Sequence, residues 1–127
     1  MKLFASTLTI LLLLAVASHA ELPSASEKAV GQALSSGKPA MIDLGARHCI
    51  PCKKMAPILE SLSVEFRGRA SVMFIDVRED PAAAGKFRIQ LIPTQIFFDA
   101  KGKEVKRHLG FMEKSEIVKE LKALGVK

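Results

Sequence analysis

The sequence predicts an α/β domain with a mixed central sheet and helices on both faces. Three observations predict it. Helical and strand-like patterns alternate along the chain; two of the strand segments are nearly continuous apolar runs, as in strands covered on both faces; the last two strands are joined by a hairpin turn and followed by a helix. With 127 residues, 49% hydrophobic and 25% charged, the chain has the length and composition of one globular domain.

Residues 1–20 stand apart from the rest. Lys2 precedes an apolar run, Leu3 to Ala17, and Ser18-His19-Ala20 then places small residues at cleavage-site spacing. This is the pattern of a secretory signal peptide cut after Ala20, leaving a domain over 21–127. The rival reading, a retained anchor, usually needs about 20 apolar residues; this run is shorter and carries Ser6, Thr7 and Thr9. No cysteine near the cut offers a lipid attachment point. The expectation is an exported protein, periplasmic or secreted and soluble after cleavage, in a compartment where disulfides persist.

Ser24 and Glu27 have capping-box spacing, and Val30, Ala33 and Leu34 continue a helical face until Gly37. A helix over 24–36 is expected. Ala40 to Ala46 is apolar except for Asp43 and reads as a buried strand. Met55, Leu59, Leu62 and Phe66 repeat at helical spacing from near Pro51, with Pro57 inside the stripe predicting a kink. Val72 to Val77 is the second buried strand, and Asp80-Pro81 pairs an N-cap with a first-turn proline for a short helix toward Phe87. Thr94–Phe98 and Lys103–Leu109 flank Asp99-Ala100-Lys101-Gly102, a hairpin turn with glycine available for a positive φ. Ile117, Val118, Leu121 and Leu124 form a last amphipathic helix ended by Gly125. The first two strands should run parallel through a right-handed crossover, and the hairpin should add antiparallel strands.

Charge and composition exclude several functions. The net charge is +6, yet no block of five or six like charges occurs, and Trp and Tyr are absent. No nucleic-acid partner is expected. Two cysteines, Cys49 and Cys52, are too few to staple a small fold.

Their position gives them another meaning. They lie three apart where a buried strand turns into a helix, so one thiol sits at a helix N-terminus, where free backbone N–H groups and the dipole stabilise a thiolate. Arg47, His48, Lys53 and Lys54 place positive charge around the pair. Cys49 is the expected exposed nucleophile, and Cys52, a turn into the helix, the resolving thiol. Two blander readings compete. A plain stabilising disulfide would close so short a loop that it constrains little of the unfolded chain. A metal site could draw on both cysteines, His48 and His108, but His48 adjoins Cys49 and no second ligand pair stands at finger spacing. Haem attachment requires a histidine where Lys53 stands.

The run Asp43-Leu44-Gly45-Ala46-Arg47-His48-Cys49-Ile50-Pro51-Cys52-Lys53-Lys54-Met55-Ala56-Pro57 resembles the active-site strand and helix of the thioredoxin family. Ile92-Pro93-Thr94 resembles its second signature, and Gly110 its glycine beyond the hairpin. The resemblance implies a thioredoxin-like fold with a mixed sheet of four to five strands. It also implies thiol–disulfide exchange, with no cofactor beyond a redox-active Cys49–Cys52 disulfide. It implies a cis bond before Pro93, a substrate groove at Ile92, Pro93 and Gly110, and Asp43 as the acid that handles the proton of Cys52. Burial would raise the Asp43 pKa toward neutrality.

Departures from the family pattern are specific. His48 and Gly45 stand where tryptophans are usual, Ile50 replaces the glycine between the cysteines, and Phe74 occupies the place of a buried lysine that often pairs with the acid. Tuning of the pair is expected from His48, Arg47, Ile50, Pro51 and Lys53. Family members span roughly 150 mV, about 7 kcal/mol for two electrons, so the motif alone does not set direction. Pro51 before the second cysteine, Ile92 before Pro93, and no room for the helical insertion of DsbA-like oxidants favour a reductant. The oxidising compartment and His48 favour an oxidant or isomerase, and a non-catalytic binding module is the third class. The expected partners of a reductant are disulfide-bonded exported proteins or apocytochromes c, with a membrane electron donor of the DsbD or CcdA type. A monomer is expected.

Overall fold

The computed structural model describes residues 20–127. All of the expected signal segment except Ala20 lies outside them. Element order is α1 (Glu27–Leu34), β1 (Ala40–Gly45), α2 (Ile50–Glu65), β2 (Ser71–Asp76), α3 (Pro81–Lys86), β3 (Thr94–Phe98), β4 (Glu104–Leu109) and α4 (Lys114–Ala123). The four strands form one mixed sheet in the order β2-β1-β3-β4. β1 runs parallel to β2 and antiparallel to β3, and β3 pairs antiparallel with β4.

Side chains alternate across a strand, so each central strand feeds two cores. Met41, Val72, Phe74 and Phe97 pack with Met55, Leu59 and Leu62 of α2 and with Ile117 and Leu121 of α4. On the opposite face Ile42, Leu44, Ile75, Ile96 and Phe98 pack with Val30 of α1 and Ala83 of α3. β1 and β3 are buried along their whole length, which is why their sequences show apolar runs rather than alternation.

The sequence-predicted elements are all present, with local corrections. Helix α1 is capped by Ser26, whose hydroxyl accepts from the Ala29 N–H at 3.1 Å, and not by Ser24. Ser24 is already engaged upstream: its hydroxyl accepts from Asp76 N at 2.9 Å, and Ala25 N donates to Phe74 O at 2.7 Å. That single parallel bridge to β2 is a rudiment of a fifth strand. Helix α2 continues through Pro57 from Ile50 to Glu65. Strand β4 begins at Glu104 because Lys103 belongs to the turn, where the Asp99 carboxylate accepts from Lys101 N and Lys103 N.

Candidate active site

Strand β1 ends at Gly45 and α2 begins at Ile50, so the four-residue loop 46–49 projects from the middle of the sheet. Asp76 fixes this loop. Its carboxylate accepts from Arg47 N at 3.2 Å, Arg78 N at 2.8 Å and Glu79 N at 3.3 Å. Burial opposes ionisation of Asp76, but these three N–H donors and the Arg47 charge outweigh it and hold its pKa below the ordinary carboxyl range.

Cys49 is the N-cap of α2 and Cys52 lies in its first turn, with Pro51 at a position where no helical N–H is missed. The two are joined as a disulfide with Cα atoms 5.1 Å apart. Cys49 is half-buried and Cys52 buried, so only the first sulfur is open to attack from outside. The Cys52 N–H points at Cys49 Sγ at 3.3 Å. On reduction, that N–H and the helix dipole favour a thiolate at Cys49.

Asp43 lies beneath the pair. It is fully buried in β1, on the sheet face covered by α2. Burial pushes its pKa up to about 7, against a smaller lowering by a hydrogen bond from Gln95. Gln95 Nε2 donates to Asp43 Oδ1 at 2.8 Å from the neighbouring strand β3. Gly45 explains how the carboxyl reaches the cysteines: a Cβ there would stand 3.3 Å from Cys52 Sγ and 3.4 Å from Asp43 Oδ2. With glycine, no side chain separates the two groups.

The other expected site residues divide into groups. Lys53 and His48 are exposed, and Ile50, 75% exposed, is the most open large apolar side chain among the described residues. Arg47 lies elsewhere: its guanidinium meets Glu21 and Glu79 at 3.2 and 3.4 Å and stacks over the Phe74 ring at 5.1 Å. Its charge is shared with those two carboxylates rather than left free beside the sulfurs. The Ile92–Pro93 bond is cis, and Pro93 O accepts from Gly110 N at 2.7 Å, Gly110 having φ +92°. Ile92 is half-buried and follows exposed Leu91. Among the described residues no cluster of histidine, cysteine and acidic side chains could hold a metal ion. His108 bonds Phe111 O through Nε2 at 2.9 Å.

Gln95 and Gly45 carry roles the sequence reading missed. For Gln95 only a weak signal existed: it is polar and lies with Thr94 just ahead of the apolar run Ile96-Phe97-Phe98, without the isolation that singled out Asp43.

A family model described as Thioredoxin matches residues 22–123. The chain is 37% identical over 81 residues to a thioredoxin of Staphylococcus aureus, covering 64% of this chain and 77% of the relative. It is 40% identical over 88 residues to the bifunctional thioredoxin reductase/thioredoxin of Mycobacterium leprae, covering 69% of this chain but 19% of that longer protein. Among solved structures it is similar to chloroplastic thioredoxin z, at a TM-score of 0.71 and 28% identity over 85% of this chain and 97% of the other. A point-mutant thioredoxin from Halobacterium salinarum NRC-1 shares the fold at a TM-score of 0.72 and 24% identity, over 84% of this chain and 90% of the other. The family uses a redox-active disulfide and no external cofactor, and Cys49–Cys52 occupies that place. The chain therefore belongs to the thioredoxin family of thiol–disulfide oxidoreductases, with Cys49 and Cys52 as its CxxC pair.

Proposed function

We propose that this protein is an exported disulfide reductase. The reading is carried by the asymmetry of the pair: one sulfur reachable at a helix N-terminus, the other buried against a carboxyl held near neutrality. In the reduced protein the Cys49 thiolate attacks a client disulfide; a Cys49–client bond forms, and one client sulfur leaves as a thiolate and takes a proton. Asp43 removes the proton from Cys52, whose thiolate attacks Cys49 Sγ. The Cys49–Cys52 bond forms, the mixed disulfide breaks, and the second client thiolate is released. The client gains two electrons and the protein is left oxidised.

Pro51 beside Cys52 and Ile92 before Pro93 support the reducing direction, as does the short path from α2 to β3. The exposed apolar residues Ile50 and Leu91, with half-buried Ile92, suit an extended client segment. Clients in this reading are disulfide-bonded exported proteins or apocytochromes c. Electrons return from a membrane donor of the DsbD or CcdA type, and the protein acts as a monomer.

Equilibration in graded thiol–disulfide buffers, with trapping of free thiols, tests the direction. A potential near the thioredoxin value of about −270 mV is expected, and one near the DsbA value of about −120 mV overturns the reductase reading. Cys52→Ser should accumulate mixed disulfides through Cys49 in an extract of exported proteins. Capture through no partner counts against the assigned roles.

A further inference from the structure

Phe74, Asp43, Gln95 and His108 form one row across the sheet, paired in register from β2 through β1 and β3 to β4. Register partners on neighbouring strands share a face, and this face is the one beneath α2 and α4. Phe74 offers Asp43 no hydrogen bond from β2. Among the described residues Gln95 alone donates to it, and it does so at a cost: Gln95 is fully buried, and its Oε1 has no hydrogen-bond partner among them. Leucine or methionine would fill a similar volume without leaving a buried oxygen unpaired, so packing does not account for an amide here.

We propose that Gln95 is a positioning residue for proton transfer at Cys52, because its amide occupies Asp43 Oδ1 and thereby confines the exchanging proton to Oδ2. The ionised carboxylate can meet only the donor side of an amide, so Oδ1 is an acceptor from Nε2. Oδ2 has no hydrogen-bond partner among the described residues, and it is the oxygen that abuts the same point beside Gly45 as Cys52 Sγ. The transfer is then Cys52 S–H plus Asp43 carboxylate to Cys52 thiolate plus Asp43 carboxylic acid protonated at Oδ2. Without Gln95 the carboxyl is free to turn, and its charged form loses the Nε2 donor that stabilises it. This inference rests on the proposed base role of Asp43.

Other groups around Asp43 frame the expected pH dependence. From α2 these are Cys52 and Cys49; from β2 and the loop beside it, Asp76 and Arg47, the latter lying over Phe74. From β4 they are His108 and Lys106, and from α4 Glu120, which pairs with Lys106. Asp76 keeps its backbone partners and Lys106 its carboxylate, so Gln95 is the group whose replacement acts on Asp43 directly.

The test follows Asp43 by carboxyl 13C NMR and follows resolution of a preformed Cys49 mixed disulfide against pH, in wild type, Gln95→Met and Asp43→Asn. In Gln95→Met the Asp43 midpoint should rise by about one to two pH units, and the resolution profile should shift alkaline with it, with about a tenfold slower step at pH 7. In wild type, with no substitution at all, the Gln95 side-chain N–H resonances should titrate with the Asp43 midpoint. An unchanged midpoint in a folded Gln95→Met protein overturns the proposal, as do Gln95 resonances that stay flat while Asp43 titrates. If Asp43→Asn leaves the resolution profile untouched, the base role itself fails; if it abolishes the pH dependence while Gln95→Met does not move it, only the Gln95 role fails.

Discussion

At the scale of single residues, two carboxylates on one sheet face carry opposite pH signatures. Asp43 has its pKa raised to about 7 by burial. Between the ordinary carboxyl pKa and that value, the folded chain binds a proton that the unfolded chain releases. Stability therefore falls as pH rises through that window, by on the order of 4 kcal/mol. Asp76 has its pKa lowered, so its contribution is present above the ordinary carboxyl pKa and fades on acidification. Asp43→Asn should match wild type near pH 4 and exceed it by about 2–4 kcal/mol above pH 8, read by urea unfolding of the oxidised protein across pH. Parallel stability curves for the two proteins would show that Asp43 does not titrate in this range. Much of this chemistry was legible in the sequence: Asp43 is a charge in an apolar run, and Cys49 and Cys52 sit at a strand-to-helix junction. Gln95 was not read, because its partner comes from a strand 52 positions away and only the sheet register brings them together. The pairing of Arg47 with Glu21 and Glu79 was hidden too, because those carboxylates come from loops 26 and 32 positions away.

At the scale of elements, two positive-φ glycines near the ends of β4 face different surroundings. Gly102, at φ +78°, turns the β3–β4 hairpin against the end of α1, where a Cβ would lie 2.4 Å from Leu34 O. Gly110, at φ +92°, follows β4 and would meet nothing within 4 Å. Gly110→Ala should cost only the left-handed backbone penalty, about 1–2 kcal/mol. Gly102→Ala adds a clash with helix backbone and should cost about 3–4 kcal/mol. Equal losses in denaturant midpoints would mean that α1 yields freely to the hairpin. Element type and order were readable because periodicity and turn residues are local. The cap of α1 was misplaced by two residues, since Ser24 and Ser26 are both good caps in sequence and only the bond from Asp76 N to Ser24 Oγ decides between them. Asp80 was legible as the α3 cap because Pro81 leaves one alternative fewer.

At the scale of the molecule, residues 21–25, just before α1 and its cap, are packed into the domain. Glu21 pairs with Arg47, Leu22 O accepts from the same guanidinium at 3.3 Å, and the Leu22 side chain packs against the core shared by Phe74 and Leu59. Glu21, Leu22, Arg47, Phe74 and Cys52 line one small pocket, so this segment covers the flank of the buried sulfur. Ser24 and Ala25 then add their bonds to β2. A signal peptidase cut after Ala20 would preserve every one of these contacts, whereas a cut a few residues later would strip the cover from Phe74. If the protein is exported as proposed, its mature chain should begin at Glu21, as read by intact mass or N-terminal sequencing of the exported fraction, and a chain still beginning at Met1 there would refute cleavage. A shortened form beginning at Ser26 should lose about 2–3 kcal/mol of stability from the lost Leu22 burial and the bonds of Ser24 and Ala25. It should also alkylate faster at Cys52 once reduced, because water gains access to that sulfur from the side opposite Asp43's strand neighbour Gln95. Equal unfolding midpoints and equal alkylation rates for the two forms would mean that the segment rests on the domain without supporting it.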